Sequence, residues 1–376
     1  MEIDLIEKRA NTTIVFLAGI EWDFLKQGQQ YLAESFSEQG YSVIYVEPIL
    51  HRRIRFSDFG KIIKRLYSSI KQKKTTHTNN RCVEILSPVA LPSTNFFFKF
   101  INDCFFIKKI NRQIINRSNN RIVCYIWWPE YTFLKLLSAI NANKVIYSCV
   151  DNHSESKNCP IDLPKFEKNL VRDADLTVVT STSLLNKWSS DAKDILLRSR
   201  AVNFKLYESS NSGPSKKIKK LIFFGGISDR IDMQLIDSIV DSGVCVDLYG
   251  EWRTSDVSIE NCKANYKGCV TPEKLPEIIK KYDGFLWPYK LNKYTEGILP
   301  AKLFECFSSG KPIFSSNLPP LTEYADLVYL FDRFSDFQTL INNFDSEEDG
   351  RKYTIRREVA RVSSWENIVN SEEKYF

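Results

Sequence analysis

Residues 296–312 set an acid, a lysine and a second acid, Glu296, Lys302 and Glu305, ahead of Gly310-Lys311-Pro312. Pro300 suits a first helical turn and Gly310 a helix stop, and Lys302 and Glu305, three apart, then share one helical face. A cation there can hold a phosphate, and a carboxylate can accept the hydroxyls of a ribose. Glu305 has Ser308 and Ser309 where a basic partner would stand and is flanked by Leu303, Phe304 and Phe307. Such an acid is either half exposed or receives hydroxyl donors from a ligand, and taken alone it is an ordinary solvated helix glutamate.

Upstream, the apolar run 221–224 ends in Gly225-Gly226, and Arg230 follows at the expected start of a helix. Glycines let backbone approach a phosphate closely beside a positive helix end, although a double glycine is often just a tight connection. Arg230 adds a donor that can grip a phosphate oxygen with two N–H groups. With Lys302 it makes two cations, which suits a diphosphate leaving group on which negative charge grows as a bond breaks.

A hydroxyl nucleophile would call for a general base at a strand end. Asp151, closing the run 144–150, is the first candidate, His153 the second and Asp23, after the first apolar run, the third. A strand-terminal aspartate is also a common cap or turn residue, and that reading of Asp151 stands beside the catalytic one. His51, His77 and His153 have no helical partner histidine, and Cys262 and Cys269 lack a second pair, so no metal site is expected.

These residues need a scaffold, and the chain alternates strands with helices. Runs 13–19, 41–47, 122–127, 144–150 and 176–180 are apolar and of strand length, while 27–39 carries Tyr31, Leu32 and Phe36 at helical spacing before Gly40. Crossover-length segments between such runs predict a parallel sheet covered on both faces. Residues 209–220 turn small, polar and basic, as a linker does. The alternation restarts with strands at 221–226, 244–250, 284–287, 312–315 and 327–331, and helices at 230–242, 272–281 and 299–308. Ile355, Val359, Val362, Trp365 and Ile368 predict a terminal amphipathic helix. The expected fold class is α/β, with two doubly wound domains, 1–208 and 209–350, and a final helical segment, 351–376. Ligands of such sheets bind at the carboxyl ends of the strands, here in a cleft between the two domains.

Nine cysteines without a CxxC pair, several inside apolar runs, fit a reducing compartment. No signal-like opening is visible in residues 1–11, and no apolar run approaches the roughly 18 residues of a membrane span, so the chain reads as cytoplasmic. The net charge of +6 is uneven: residues 51–120 hold fifteen Lys/Arg against three acids, +12, and the rest of the chain −6. Lys71, Lys73 and Lys74 lie there, interleaved with aromatics such as Phe96, Phe97, Phe98, Phe100, Phe105 and Phe106. Basic plus aromatic suits an anionic membrane surface, and phenylalanines facing the core under a solvated cationic face is the equal alternative. No pattern for reading nucleic-acid bases is present, and no nucleic-acid partner is expected.

Pro-x-Lys-x-Phe-Glu at 300–305 and Gly-Lys-Pro at 310–312, downstream of Phe-Phe-Gly-Gly-Ile-Ser-Asp-Arg at 223–230, resemble the nucleotide-sugar half of GT-B glycosyltransferases that build bacterial surface polysaccharides. They are similar to the signature of the large retaining family and to the xanthan-type glucuronosyltransferase group, which inverts. Trp22, residues 29–40 and 43–48, and then 145–151, Glu167 and 174–181 resemble the first half of such chains. The resemblance implies that Gly225, Gly226, Arg230 and Lys302 surround the donor diphosphate and that Glu305 binds ribose. Glu296 would lie near the transferred sugar, although it stands one residue further from Glu305 than in the retaining signature, which leaves retention or inversion open. Trp22 and Asp23 fall on the acceptor side, and Gly250 near the base-binding edge. Residues 204–207 lack the family's Asn-Gly-Val turn.

The resemblance further implies a metal-independent enzyme without a cofactor, using a nucleotide diphosphate-sugar, with a final helix that crosses back to the first domain. The acceptor would be a lipid-linked glycan at the inner membrane's cytoplasmic face, in O-antigen (lipopolysaccharide), capsule or exopolysaccharide synthesis, the enzyme being peripherally attached. A nucleotide-sugar 2-epimerase of the same fold and a non-catalytic nucleotide-sugar-binding assembly protein are the alternatives. Isomerised product from nucleotide sugar alone would mark the first, and binding without transfer the second.

Overall fold

Strands covered on both faces carry uninterrupted apolar sequence, and the runs that read this way form the centres of two sheets. The computed structural model describes residues 2–24, 26–48, 74–78, 81–88, 90–91, 96–150, 152, 154, 159–198, 200–292, 295, 299–344, 348 and 350–376. The chain divides into one unit of Met1–Ser199 with Trp365–Phe376 and a second of Arg200–Ser364.

In the first unit β1 (Thr12–Leu17), β2 (Ser42–Val46), β3 (Lys74–Thr78), β4 (Arg81–Leu86), β5 (Arg121–Ile126), β6 (Lys144–Cys149), β7 (Leu176–Val179) and β8 (Ile195–Leu197) lie in the order β3-β4-β2-β1-β5-β6-β7-β8. All neighbours are parallel except β3, which runs antiparallel to β4 at the sheet edge. β4 alternates buried Val83 and Ile85 with exposed Cys82 and half-buried Glu84, so no apolar run marks it and no strand is legible there. Helix Gly28–Glu38 buries Leu32, Ala33 and Phe36, and the Phe36 ring lies 5.3 Å from Tyr41 and 5.5 Å from Tyr125. The helix stops at Gly40, whose φ of +104° only glycine adopts readily.

In the second unit β9 (Lys220–Phe224), β10 (Cys245–Tyr249), β11 (Asn265–Tyr266), β12 (Gly284–Trp287), β13 (Ile313–Ser316) and β14 (Tyr329–Phe331) form a wholly parallel sheet, β11-β10-β9-β12-β13-β14. This unit begins at Arg200 instead of 209 because helix Phe204–Glu208 puts Phe204 and Tyr207 into its core and Val202 bridges Ser364.

The terminal segment is two helices, Gly350–Val362 and Trp365–Glu372, broken at Ser363 and Ser364. The first stays with the second unit, where buried Arg356 donates to Glu348 at 2.6 and 2.9 Å and to the Leu327 carbonyl at 2.8 Å. The return to the first unit starts at Trp365, whose ring stacks on Tyr31 and packs so close to Gly28 that a Cβ there would lie 3.0 Å from it. Phe376 completes the cluster of Phe36, Tyr41 and Tyr125.

Candidate active site

β9 and β12 are neighbours at the point where strand order in the second sheet reverses, and such a point leaves a crevice outside the carboxyl ends of the strands. Gly225 follows β9 with φ +126°, its N–H donating to the Tyr249 carbonyl at 2.8 Å. Gly250, at φ +139°, follows β10 so closely that a Cβ on it would collide with the Gly225 carbonyl, its carbon only 2.7 Å away. A Cβ on Gly225 would in turn strike the Lys302 ammonium. Gly226 faces open space, with nothing within 4 Å of a built Cβ.

Lys302 caps helix Leu303–Ser309, which begins later than the spacing predicts, so Glu305 sits in its first turn. The Lys302 side chain reaches back to β9, where Nζ donates to the Phe224 carbonyl and lies 4.3 Å over the Phe223 ring and 5.0 Å over that of Phe224. Among the described residues it forms no ion pair. Loss of hydration lowers its pKa to about 8, with repulsion from Arg230 adding to the effect and Cys306 and Glu305 opposing it. Glu305 is pushed the other way, up to about 7, chiefly by loss of hydration, while Lys302 and a hydrogen bond with Tyr207 hold it down. Both groups are half-buried and both are drawn toward neutrality.

Arg230 lies in the loop before helix Met233–Asp241, not in the helix, because Asp232 is the N-cap and accepts from the Leu235 N–H at 3.0 Å. The expected glycine-to-helix turn is therefore a longer, anchored loop. Ile227 bridges Trp252, Ile231 bridges Tyr289, and Asp229 accepts from the Thr254 hydroxyl at 2.7 Å and the Ser255 N–H at 3.0 Å. Exposed Arg230 donates from Nε to Ser228 at 3.1 Å, and its charge registers at Lys302. Gly225, Gly226, Arg230, Lys302 and Glu305 thus gather at the carboxyl end of β9. Two contributors had little sequence signal: Tyr207, about a hundred positions from Glu305, and Gly250, whose close approach only its turn after β10 suggests.

Asp151, His153, Glu296, Lys71 and Lys73 lie outside the described residues, and Lys74 opens β3. Trp22 and Asp23 follow β1 at the reversal between β1 and β5. The Trp22 ring stands edge-on to Tyr45 at 4.9 Å and the Trp22 backbone N–H donates to the Glu47 carboxylate at 2.9 Å, while Asp23 is exposed. Glu167 is fully buried and accepts from the Tyr147 hydroxyl at 2.7 Å, a structural role.

Four phenylalanines of the basic-aromatic segment do not face the core. Helix Phe96–Ile101, a π-helical turn Asn102–Phe106 and helix Ile107–Ile115 run together, with Ile107, Ile110 and Ile114 in the core. Phe96, Phe97, Phe100 and Phe105 are instead 85%, 65%, 56% and 68% exposed, near exposed Lys108 and Lys109.

No family model matches the chain. It is 23% identical, over 96% of its length and 96% of the relative's, to TuaH of Bacillus subtilis (strain 168), assigned as a teichuronic acid biosynthesis glycosyltransferase. Among solved structures, sucrose-phosphate synthase of Thermosynechococcus elongatus matches 97% of this chain and 98% of its own at 12% identity with a TM-score of 0.63. HepE of Anabaena, solved with UDP and glucose, matches 98% of this chain and 100% of its own at 10% identity with a TM-score of 0.59. With these likenesses beside two parallel α/β sheets and a returning C-terminal helix, the chain is a glycosyltransferase of GT-B architecture.

Proposed function

We propose that the chain moves a sugar from a nucleoside diphosphate-sugar to a lipid-linked glycan at the cytoplasmic face of an anionic membrane, in the synthesis of O-antigen, capsule, exopolysaccharide or a similar surface polymer. The observation that carries the reading is Lys302, a half-buried ammonium held against a backbone carbonyl and two ring faces beside Arg230, three residues from a carboxylate with which it forms no ion pair. An anion at this point would restore what the ammonium lost on leaving water. The teichuronic acid assignment of TuaH and the UDP in HepE support the polymer and the donor class.

On this reading Lys302 and Arg230 hold the two phosphates, Glu305 accepts ribose hydroxyls and the Gly225-Gly226 backbone lies against the diphosphate. The acceptor hydroxyl oxygen bonds to the anomeric carbon as the bond from that carbon to the diphosphate oxygen breaks, and the leaving diphosphate takes the electron pair. The two cations stabilise that growing charge, so no metal or cofactor is required by the chemistry. In an inverting reaction Asp151, or failing it His153, takes the hydroxyl proton. In a retaining reaction Asp151 orients the acceptor, and Glu296 lies near the transferred sugar. Trp22 and Asp23 belong to the acceptor side.

The exposed phenylalanines of 96–105, with Lys108, Lys109 and the basic stretch containing Lys71, Lys73 and Lys74, support docking on a membrane surface. Among the described residues no helix is long and apolar enough to cross one. Two measurements test the proposal. In a panel of nucleoside diphosphate-sugars, one at a hundred times its Kd stabilises the chain by about 2.7 kcal/mol, and replacing Phe97, Phe100 and Phe105 by serine lowers sedimentation with phosphatidylglycerol vesicles severalfold. A panel in which nothing shifts the melting temperature removes the donor reading; vesicle binding that survives the triple change removes the membrane reading.

A further inference from the structure

The second sheet has a cationic site at its other end. The amino ends of β9, β12 and β13 border an open cavity of about 490 Å³ lined by Lys216, Lys217, Lys219, Lys280, Lys281 and Lys311, against the single carboxylate of Asp283. β9 runs from this cavity to Gly225, a span of roughly 16 Å for a five-residue strand, so one diphosphate cannot occupy both places.

The cavity is built. Asp283 accepts from the N–H groups of Lys219 and Lys220 at 2.8 Å each, and its carbonyl accepts from the Ser215 hydroxyl at 2.5 Å, which pins the lysine-bearing loop to β12. Lys311, which also lines the cavity, is 2% exposed, and its Nζ donates to the Lys280 carbonyl at 3.2 Å and to that of Tyr282. An ammonium has three protons, and these two carbonyls take two of them. Burial lowers the Lys311 pKa to about 8.

Local compensation is thin. Lys280 pairs with Glu277 at 2.6 Å, and the Asp283 carboxylate is spent on backbone N–H groups. Lys216, Lys217, Lys219 and Lys281 form no ion pair among the described residues. Cations gathered in a concave site repel one another and raise the local concentration of anions. Lysine supplies compact point charges with movable donors, which suits phosphate oxygens.

We propose that this cavity binds a phosphate-bearing anion of the diphosphate class, separately from the donor site. Such a group reaches it either as a soluble phosphate compound or as a lipid headgroup, and the test separates the two. The full chain and its Lys216→Glu, Lys217→Glu, Lys281→Glu variant are titrated calorimetrically with inorganic pyrophosphate in excess UDP, and are sedimented with phosphatidylglycerol and with phosphatidylcholine vesicles. Lys135→Glu with Lys165→Glu and Lys193→Glu, exposed positions on the first unit, serve as a charge-matched control. The expected result is at least a tenfold loss of pyrophosphate affinity in the cavity variant and little in the control, which assigns a soluble ligand. A tenfold loss confined to phosphatidylglycerol vesicles assigns a headgroup. The proposal is overturned if neither probe binds the parent chain, or if the cavity variant and the control lose equally.

Discussion

In the first unit Arg198 and Glu372 meet at 2.5 Å, whereas in the second Lys302 and Glu305, only three residues apart, do not pair. The first pair is closed by its surroundings: Glu372 also accepts from the Tyr125 hydroxyl at 2.6 Å, and Arg198 donates to Ser148 at 3.3 Å. Next to it Glu373 accepts from Arg9 at 2.5 Å and from Tyr41 at 2.9 Å. Both glutamates come from the returning C-terminal segment, so these buried charges fasten that segment to the sheet it covers. Lys302 leans on a neutral carbonyl and two ring faces, and Glu305 on a tyrosine hydroxyl. A half-buried charge that closes no ion pair costs stability, and a ligand that completes it recovers that cost. On the proposed reading the difference separates a structural charge from a binding one: the structural charge finds an opposite charge within the fold, and the binding charge is left for the ligand.

Ending the chain before Trp365 should break this comparison most severely. It removes Glu372, Glu373 and Phe376 together, and the expected result is loss of soluble, folded protein; a soluble chain with full activity would contradict the fastening role. The single change Glu372→Ala leaves Arg198 buried without its partner and should cost about 3–5 kcal/mol in urea unfolding. In the second unit Lys302→Ala should leave the urea midpoint where it was, or raise it, while transfer falls by about 10²–10³-fold, as when one charge-stabilising donor is lost. A midpoint that drops as in Glu372→Ala would make Lys302 structural.

The smaller effects sharpen the contrast through pH. In the free chain Glu305 ionises as pH rises through about 7, and Lys302 loses its proton as pH rises through about 8. Donor affinity should therefore climb toward that window and then weaken by up to about tenfold per pH unit above it, which titration across pH 6–10 would reveal. Stability runs the other way for Glu305. Its folded pKa lies above the ordinary 4.5, so burial is tolerated below that value and becomes destabilising as pH rises through about 7. Glu305→Gln should accordingly gain on the parent in urea midpoint between pH 5 and pH 8 while losing about tenfold in donor affinity. A constant difference across that range would mean that the carboxylate is not desolvated.

Much of this was legible without coordinates, and the reason differs from residue to residue. β12 coincides with the run 284–287 because a central parallel strand needs apolar side chains on both faces. β3 and β4 were not legible, since β3 is polar throughout and β4 alternates buried with less buried residues, so neither carries such a run. Lys302 and Glu305 stood out by type and spacing, yet the helix begins at Leu303 instead of 299, and Arg230 precedes its helix instead of opening it. End positions depend on caps such as Asp232, which periodicity does not weigh. The phenylalanines of 96–106 read as core or surface with equal ease, because helical spacing names a face without saying what covers it.

The sequence by itself determined the alternation of strands and helices, the two-sheet architecture and the residue types gathered in the proposed donor site, because burial periodicity and side-chain chemistry are local properties. Only the tertiary structure decided that Lys302 rests on the Phe224 carbonyl, 78 positions away, that Tyr207 supports Glu305, and that Glu372 closes on Arg198 across 174. Those contacts depend on where the chain returns in space, and local pattern carries no record of the distance.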